Sequence, residues 1–378
     1  MAKQYIIRYR DIILIIAVVL LSSIFLYLPF LLQSQHWLGI QIERPNMEYI
    51  YRHFDGPLYV VAAKTMYKPE AINNLHLELV TSPNYYAAHL PLYPILIKMF
   101  SFLFGYLRSM LIVTLLFSVL AALVFYYILR SLKLSENPLA LTIVFLFLPR
   151  FFVVRSVGAP ESIFLFFILF SLYFFEKKQY LLSGLFGGLS VMTKSPGILL
   201  AIAYGLVFIE EYVKTRKIKW EWLGVCLIPA GLLAVFIIYY LQYGDFFAYF
   251  NSGDNIHLVS PFAVFNHNHQ WVGTGWLEEI VLYFILYLFT VINLKDTKYR
   301  SFFYFGLVFF IATSFVQHRD ISRYILPIWP LVCITHEKFF TSKKFLITLV
   351  ILLPAIYLYA INFMTFNLMP ISDWTPYI

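Results

Sequence analysis

Apolar residues run along the chain in long blocks separated by short basic connectors. The first block, 12–32, has the roughly 20 residues needed to cross a hydrocarbon core of about 30 Å at 1.5 Å rise per residue. It is too long for the core of a signal peptide and no small-residue cleavage site follows, so it predicts a retained helix. Further blocks lie at 108–130, 139–154, 161–175, 180–193, 196–211, 222–242, 276–294, 301–316, 323–339 and 345–366. That makes about eleven expected spans. The stretch 91–107 is kept apart from them, because it holds Pro91, Pro94 and Lys98 and would invert the connectors that follow. It predicts a helix lying in the outer interface, closing a long first external loop, 33–107; a second external loop is expected at 243–275.

Composition agrees with this pattern. Of 378 residues 61% are hydrophobic, 20% aromatic and only 13% charged, with a mean hydropathy of +0.76. A soluble domain is about 25% charged, so a soluble globular enzyme is excluded. The expected fold is an all-α, polytopic transmembrane helical bundle forming a single domain over 1–378. The net charge of +8 does not mark a nucleic-acid binder, because the basic residues are spread thinly and never interleave with aromatics in a patch. Their placement follows the positive-inside rule. Lys3, Arg8 and Arg10 precede the first block, and alternate threading puts the connectors around Arg130, Lys177, Lys214, Lys295 and Lys338 on the same side. More than half of the 28 lysines and arginines then lie inside, with a cytoplasmic N-terminus. Cys226 and Cys333 both sit in apolar stretches, so no disulfide framework is written. Gly184 and Gly188 form a spacing that serves close helix packing.

Ionisable residues at a membrane surface are expensive unless paired or hydrated, and are therefore informative. Here they gather at the expected outer helix ends, from five parts of the chain. Tyr51-Arg-His-Phe-Asp-Gly-Pro-Leu-Tyr59 puts Asp55 at the start of a predicted helix, where the helix dipole favours negative charge; a plain N-cap is the competing reading. His89-Leu-Pro-Leu-Tyr-Pro94 opens the interfacial helix, with His89 and Tyr93 available to hydrogen-bond a sugar or phosphate or to serve as an aromatic belt. Arg150 to Glu161 is a polar external link, in which Glu161 heads an apolar helix. Thr193-Lys-Ser-Pro-Gly197 places Lys194 at a break between two apolar halves, a costly position unless something anionic meets it. Finally, His318-Arg-Asp-Ile-Ser-Arg-Tyr324 crowds charges at a helix mouth, where Arg323 opposes the dipole and an anion would relieve it.

These five segments, in this order, resemble the GT-C class of membrane glycosyltransferases, and most closely the mannosyltransferase branch that includes the second mannosyltransferase of GPI-anchor synthesis and the family 39-like enzymes. Asp55-Gly-Pro-Leu-Tyr59 with Ala62-Ala63 is similar to that branch's Asp-Gly-x-Trp-Tyr-x-x-Ile-Ala pattern. His89-Leu-Pro-Leu-Tyr-Pro94 resembles its Phe-Phe-Pro-Leu-Tyr-Pro signature, and Gly158-Ala-Pro-Glu-Ser162 the element heading the fourth helix. Thr193-Lys-Ser-Pro-Gly197 looks like Thr-Lys/Arg-x-x-Gly, and Arg323-Tyr324 with Pro327 and Pro330 like the late Arg-Tyr-x-x-Pro helix. Leu58 departs from the pattern, standing where the branch usually has an aromatic.

The resemblance implies a multi-pass enzyme of a prokaryotic plasma membrane or the ER membrane, with its site on the extracytoplasmic face. It would move a sugar, mannose by the closest branch, with inversion from a polyprenyl-phosphate carrier to an acceptor hydroxyl on a glycan, glycolipid or protein. No cofactor and no metal are expected. Asp55 is then the base. Substrate contacts are expected from His53, Tyr59, His89, Tyr93, Arg155, Glu161, Lys194, Arg319, Arg323 and Tyr324, the cations taking the leaving phosphate. His257, His267 and His269 near Asp254 have a spacing that zinc accepts, but no firm third ligand, and read as solvated loop residues. The rival class is a transporter or lipid flippase, which predicts midplane charges and related halves. Neither is seen, and no Walker A loop is present.

Overall fold

A computed structural model describes residues 2–43, 45–53, 55–78, 81–253, 258–265, 277–318, 320–366 and 368–378, with side chains from Tyr9 onward. The α-helices are α1 (Ala2–Leu31), α2 (Glu48–Tyr51), α3 (Gly56–Thr65), α4 (Pro69–Asn73), α5 (Leu92–Phe104), α6 (Tyr106–Ser131), α7 (Pro138–Leu146), α8 (Pro149–Val154) and α9 (Glu161–Glu176). They continue as α10 (Tyr180–Thr193), α11 (Leu199–Thr215), α12 (Leu227–Tyr243), α13 (Leu277–Leu294), α14 (Arg300–Ser314), α15 (Ile321–Tyr324), α16 (Trp329–Thr335), α17 (Glu337–Phe340) and α18 (Lys343–Phe366). Among the described residues the one sheet is a two-residue ribbon, His36–Trp37 against Ile40–Gln41, antiparallel. The protein is all-α.

Among the described residues six helical stretches are long and apolar enough to cross a membrane: Tyr9–Leu31, Tyr106–Ser131, Ser195–Thr215, Trp220–Tyr243, Leu277–Leu294 and Lys343–Phe366. Large apolar side chains stand exposed along them, such as Leu21, Leu241, Leu282 and Ile351. A water-facing surface does not carry such rows, and the protein is membrane-embedded.

Other expected spans are built from shorter pieces, and proline supplies the reason. The block 139–154 is two helices, α7 and α8, because Pro149 restricts Leu148 to φ −57°, ψ 124°, outside the helical region. The block 323–339 is likewise divided at Pro327 into α15, a 3₁₀ turn (Leu326–Ile328), α16 and α17. The stretch 91–107 does form a helix of its own. α5, at 13 residues, is too short to cross the roughly 30 Å core, and it stops at Gly105, whose φ of +73° and ψ of 166° suit only glycine.

The chain packs as two compact units. The first comprises Met1–Phe166, Val235–Gly253 and Phe340–Ile378. Its centre is α6, the most enclosed of these six helices with 61% of its most apolar stretch buried, against which α1, α3, α5 and α7 pack. α18 lies on α8 and α2. The second comprises Phe167–Ala234 and Asp254–Phe339. In it α10 packs on the 3₁₀ segment Trp220–Cys226, α11 on α14, and α13 on α14 and α16. The first packing is possible because Gly184 and Gly188 carry no side chain. A Cβ on Gly184 would stand 1.9 Å from the Gly224 carbonyl oxygen, and one on Gly188 2.6 Å from that of Leu227. The glycine pair therefore serves backbone approach, as its spacing implied.

Candidate active site

In the first unit Asp55 stands at the mouth of α3, half-buried, with its own backbone at φ −94°, ψ 11°. Pro57 sits in the first helical turn, where a missing N–H costs nothing, and the amides of Leu58 and Tyr59 bond to the Asp55 carbonyl at 2.9 and 3.2 Å. The Asp55 carboxylate makes no capping bond to this helix. It occupies the N-cap position without doing an N-cap's work.

Gly56 explains how this turn reaches the polar link that follows α8. A Cβ there would meet Met110 Sδ at 3.1 Å and the Gly158 carbonyl oxygen at 3.2 Å, while one on Gly158 would lie 2.3 Å from the same sulfur. The two glycines and Met110 form a tight junction. It draws the Asp-Gly motif and the Gly158–Glu161 motif together. One helical turn beyond Asp55, the Tyr59 ring lies 4.9 Å from both the His89 and the Tyr93 ring. Tyr93 is fully buried, its hydroxyl donating to the Met110 carbonyl at 2.9 Å and lying 2.7 Å from Thr114 Oγ1. Burial pushes its phenol up and the Thr114 bond opposes that shift. His89 is also buried, and its carbonyl accepts the Tyr67 hydroxyl at 2.5 Å. Neither is a surface belt residue. Glu161, 2% exposed, begins α9 next to Ser162, whose hydroxyl lies 2.8 Å from that of Ser118.

His53 is buried, its ring edge-on to Phe363 of α18 at 5.5 Å, and the Arg150 guanidinium lies 4.1 Å from the centroid of that same Phe363 ring. Arg155 is fully buried and turned toward α1: it donates to the hydroxyls of Ser22 and Ser23 at 2.8 and 3.1 Å, to the Val19 carbonyl at 3.5 Å and to the Leu146 carbonyl at 3.3 Å. Next to it, Tyr27 donates to the Ser156 carbonyl at 2.5 Å. These bonds fasten α1 to the polar link.

The second unit gathers another set. Lys194 ends α10 in an extended conformation, half-buried, with its Nζ 5.8 Å from the centroid of the Tyr324 ring. Tyr324 also receives the His318 ring edge-on at 5.2 Å, and His318 Nδ1 accepts the Asp320 amide at 3.0 Å. Arg323 on α15 is 8% exposed. Gly197 makes the reversal after Lys194 possible, because a Cβ there would lie 2.6 Å from Ser190 Oγ. A 3₁₀ turn, Ser195–Ile198, follows Lys194, and α11 begins only at Leu199. Arg319 and the loop residues Asp254, His257, His267 and His269 lie outside the described residues.

Sequence reasoning had no signal for Phe363, Met110 or Thr114, which enter only because α18 and α6 pack on these motifs. Thr114 was the readable one of the three, as a hydroxyl inside an apolar helix.

No family model matches the sequence, and no curated protein matches it. Among solved structures the chain is similar to the oligosaccharyltransferase of Archaeoglobus fulgidus, crystallised tethered through a disulfide bond with an acceptor peptide containing the NVT sequon. The TM-score is 0.50 at 14% identity, over 96% of this chain and 56% of that one. The chain thus spans little more than half the length of that protein. The likeness shows the fold alone: an all-α, polytopic arrangement shared with that protein.

Proposed function

We propose that the protein is a membrane glycosyltransferase that takes a sugar from a lipid-phosphate carrier and passes it to an acceptor hydroxyl or amide on the extracytoplasmic face. The observation that carries this reading is Asp55: a half-buried carboxylate at a helix mouth, not spent on capping, set by Gly56 against the Gly158–Glu161 link. The fold shared with an oligosaccharyltransferase supports it, and that protein's tethered peptide makes a peptide one of the acceptor classes to test.

In this reaction Asp55 accepts the acceptor's proton as the acceptor atom bonds to the anomeric carbon. The bond from that carbon to the carrier phosphate breaks, its electron pair leaving with the phosphate, and the anomeric configuration inverts. The resemblance of their motifs assigns Lys194 and Arg323 to the leaving phosphate, where cations serve better than an acid. Tyr59, His89 and Tyr93 are assigned to shaping the floor behind Asp55. Arg155 is assigned to holding α1, its donors being directed at protein oxygens. Mannose is the sugar favoured by the resemblance of the motifs to the mannosyltransferase branch.

The test is consumption of a panel of polyprenyl-phosphate hexoses by purified protein in lipid, with membrane extract as acceptor. Wild type should consume one donor and Asp55→Asn none. Consumption by neither protein, both folded, would remove the reading and favour a transporter.

A further inference from the structure

Residues 368–378 return from α18 and lie across the elements that present Asp55. Leu368 forms an isolated antiparallel bridge with His53, and the Met369 amide donates to the Arg52 carbonyl at 2.9 Å. Phe363, one turn before the end of α18, closes against the His53 ring. The Trp374 ring meets Tyr51 edge-on at 6.4 Å. Farther along, Lys64 near the end of α3 donates to the Pro376 carbonyl at 2.8 Å and to the Ile378 carbonyl at 2.6 Å. The Glu78 carboxylate accepts the amides of Ser372 and Asp373 at 2.8 and 2.9 Å and also the Ser372 hydroxyl. The helix that Asp55 opens is therefore held at both ends by one strap.

We propose that this strap positions Asp55, with Met369 as its principal positioning residue; the inference rests on the reading of Asp55 as the base. The path is short. Met369 fixes Arg52, Leu368 fixes His53, and the His53 carbonyl accepts the Gly56 amide at 3.3 Å, so the two residues that lead into the carboxylate's turn are tied to the strap. A base acts only within hydrogen-bond reach of its proton, and a shift of about 1 Å is enough to cost up to about 100-fold in rate. A hydrogen bond that only stabilised the fold would instead lower the amount of folded protein and leave turnover per molecule untouched.

The experiment uses the full chain in lipid, with polyprenyl-phosphate mannose or whichever hexose donor wild type consumes. Met369→Pro deletes the N–H that reaches Arg52. The expected result is a kcat about tenfold lower with donor KM within about twofold, and an altered acid limb of the pH–rate profile. Hydrogen exchange, which needs no donor, should speed up at the amides of Gly56, Leu58 and Tyr59. Phe363→Leu should show the same pattern more weakly and Phe363→Tyr should restore it. If Met369→Pro fails to fold, Glu78→Gln with Ser372→Ala releases the far end of the strap without touching its backbone, and should lower kcat about threefold. Turnover, pH profile and exchange all like wild type in a folded variant, with Asp55→Asn inactive, would overturn the strap and leave the base intact. Full turnover by Asp55→Asn would instead remove the base, and the strap's catalytic role with it.

Discussion

The two units fill an interior in lipid in different proportions: the second buries Arg323, whereas the first buries several charges. The second closes its interior with glycine and aromatic surfaces: α10 rests on Gly224, Leu227 and Gly231 through Gly184 and Gly188, and Phe175 stacks on Tyr204 at 4.0 Å. Several of its charges are paired at helix ends, as in Glu210 with Arg300 at 2.9 Å. The first buries His53, His89, Arg150, Arg155 and Glu161 together with a row of serines and threonines. Buried charge in a membrane protein is costly, whereas glycine packing is not, so the charged interior needs an explanation that the glycine interior does not. On the proposed function, the difference separates residues that hold helices together from residues kept for chemistry, with Arg155 among the former and Asp55 among the latter.

The glycine side of the comparison breaks most visibly. Gly184→Ala puts a Cβ into a backbone carbonyl that cannot swing aside, and should cost about 3 kcal/mol or more, the upper range for overpacking. Folded yield and the midpoint of thermal unfolding in detergent read it, and turnover per folded molecule should be unchanged.

Arg155→Met sharpens the division inside the first unit. Four protein oxygens lose a charged donor, worth about 2 kcal/mol, and α1 should loosen in hydrogen exchange. Lysine should not rescue it, because a single ammonium lacks the guanidinium's fork. Donor affinity like wild type would confirm the assignment to structure, and a large loss of affinity would return Arg155 to the site.

Lys194→Ala tests whether the second unit contributes beyond packing. Donor Kd should weaken about tenfold, or about 1.4 kcal/mol, with unfolding unaffected; an unchanged Kd would leave the cation a packing role beside Tyr324.

The smallest effect concerns the strap. Hydrogen bonds from Ser372 hold the Glu78 carboxyl below its ordinary value of 4.5. A depressed pKa means that the clasp contributes fully above that ordinary value and is lost only as pH falls through the lower, folded one. Exchange at Ser372 and Asp373 should therefore be flat from neutral pH down to the usual glutamate range, after correction for the intrinsic rate, and rise only below it.

How much of this was legible follows from the range of each interaction. The all-α fold and the separateness of α5 came from apolar block lengths and from Pro91, Pro94 and Lys98, which are local signals. The meeting of Tyr59 with His89 and Tyr93 was foreshadowed by motif order, since α3 and α5 are near neighbours in the chain. Pro149 and Pro327 were visible, yet the blocks around them read as continuous because hydropathy does not register a missing N–H. Arg155 looked like a ligand residue because nothing in its own segment shows that Ser22 and Ser23 wait on another helix. The bridge between His53 and Leu368 joins opposite ends of the chain through backbone atoms, which carry no side-chain pattern at all.

The central claim, that the first unit's charged interior presents a base, is tested most directly by separating binding from transfer in Asp55→Asn. With radiolabelled polyprenyl-phosphate sugar and excess enzyme in lipid, the account predicts donor bound as tightly as by wild type and recovered intact, with single-turnover transfer at least about 100-fold slower. Transfer at the wild-type rate, or loss of donor binding in a folded variant, would contradict it.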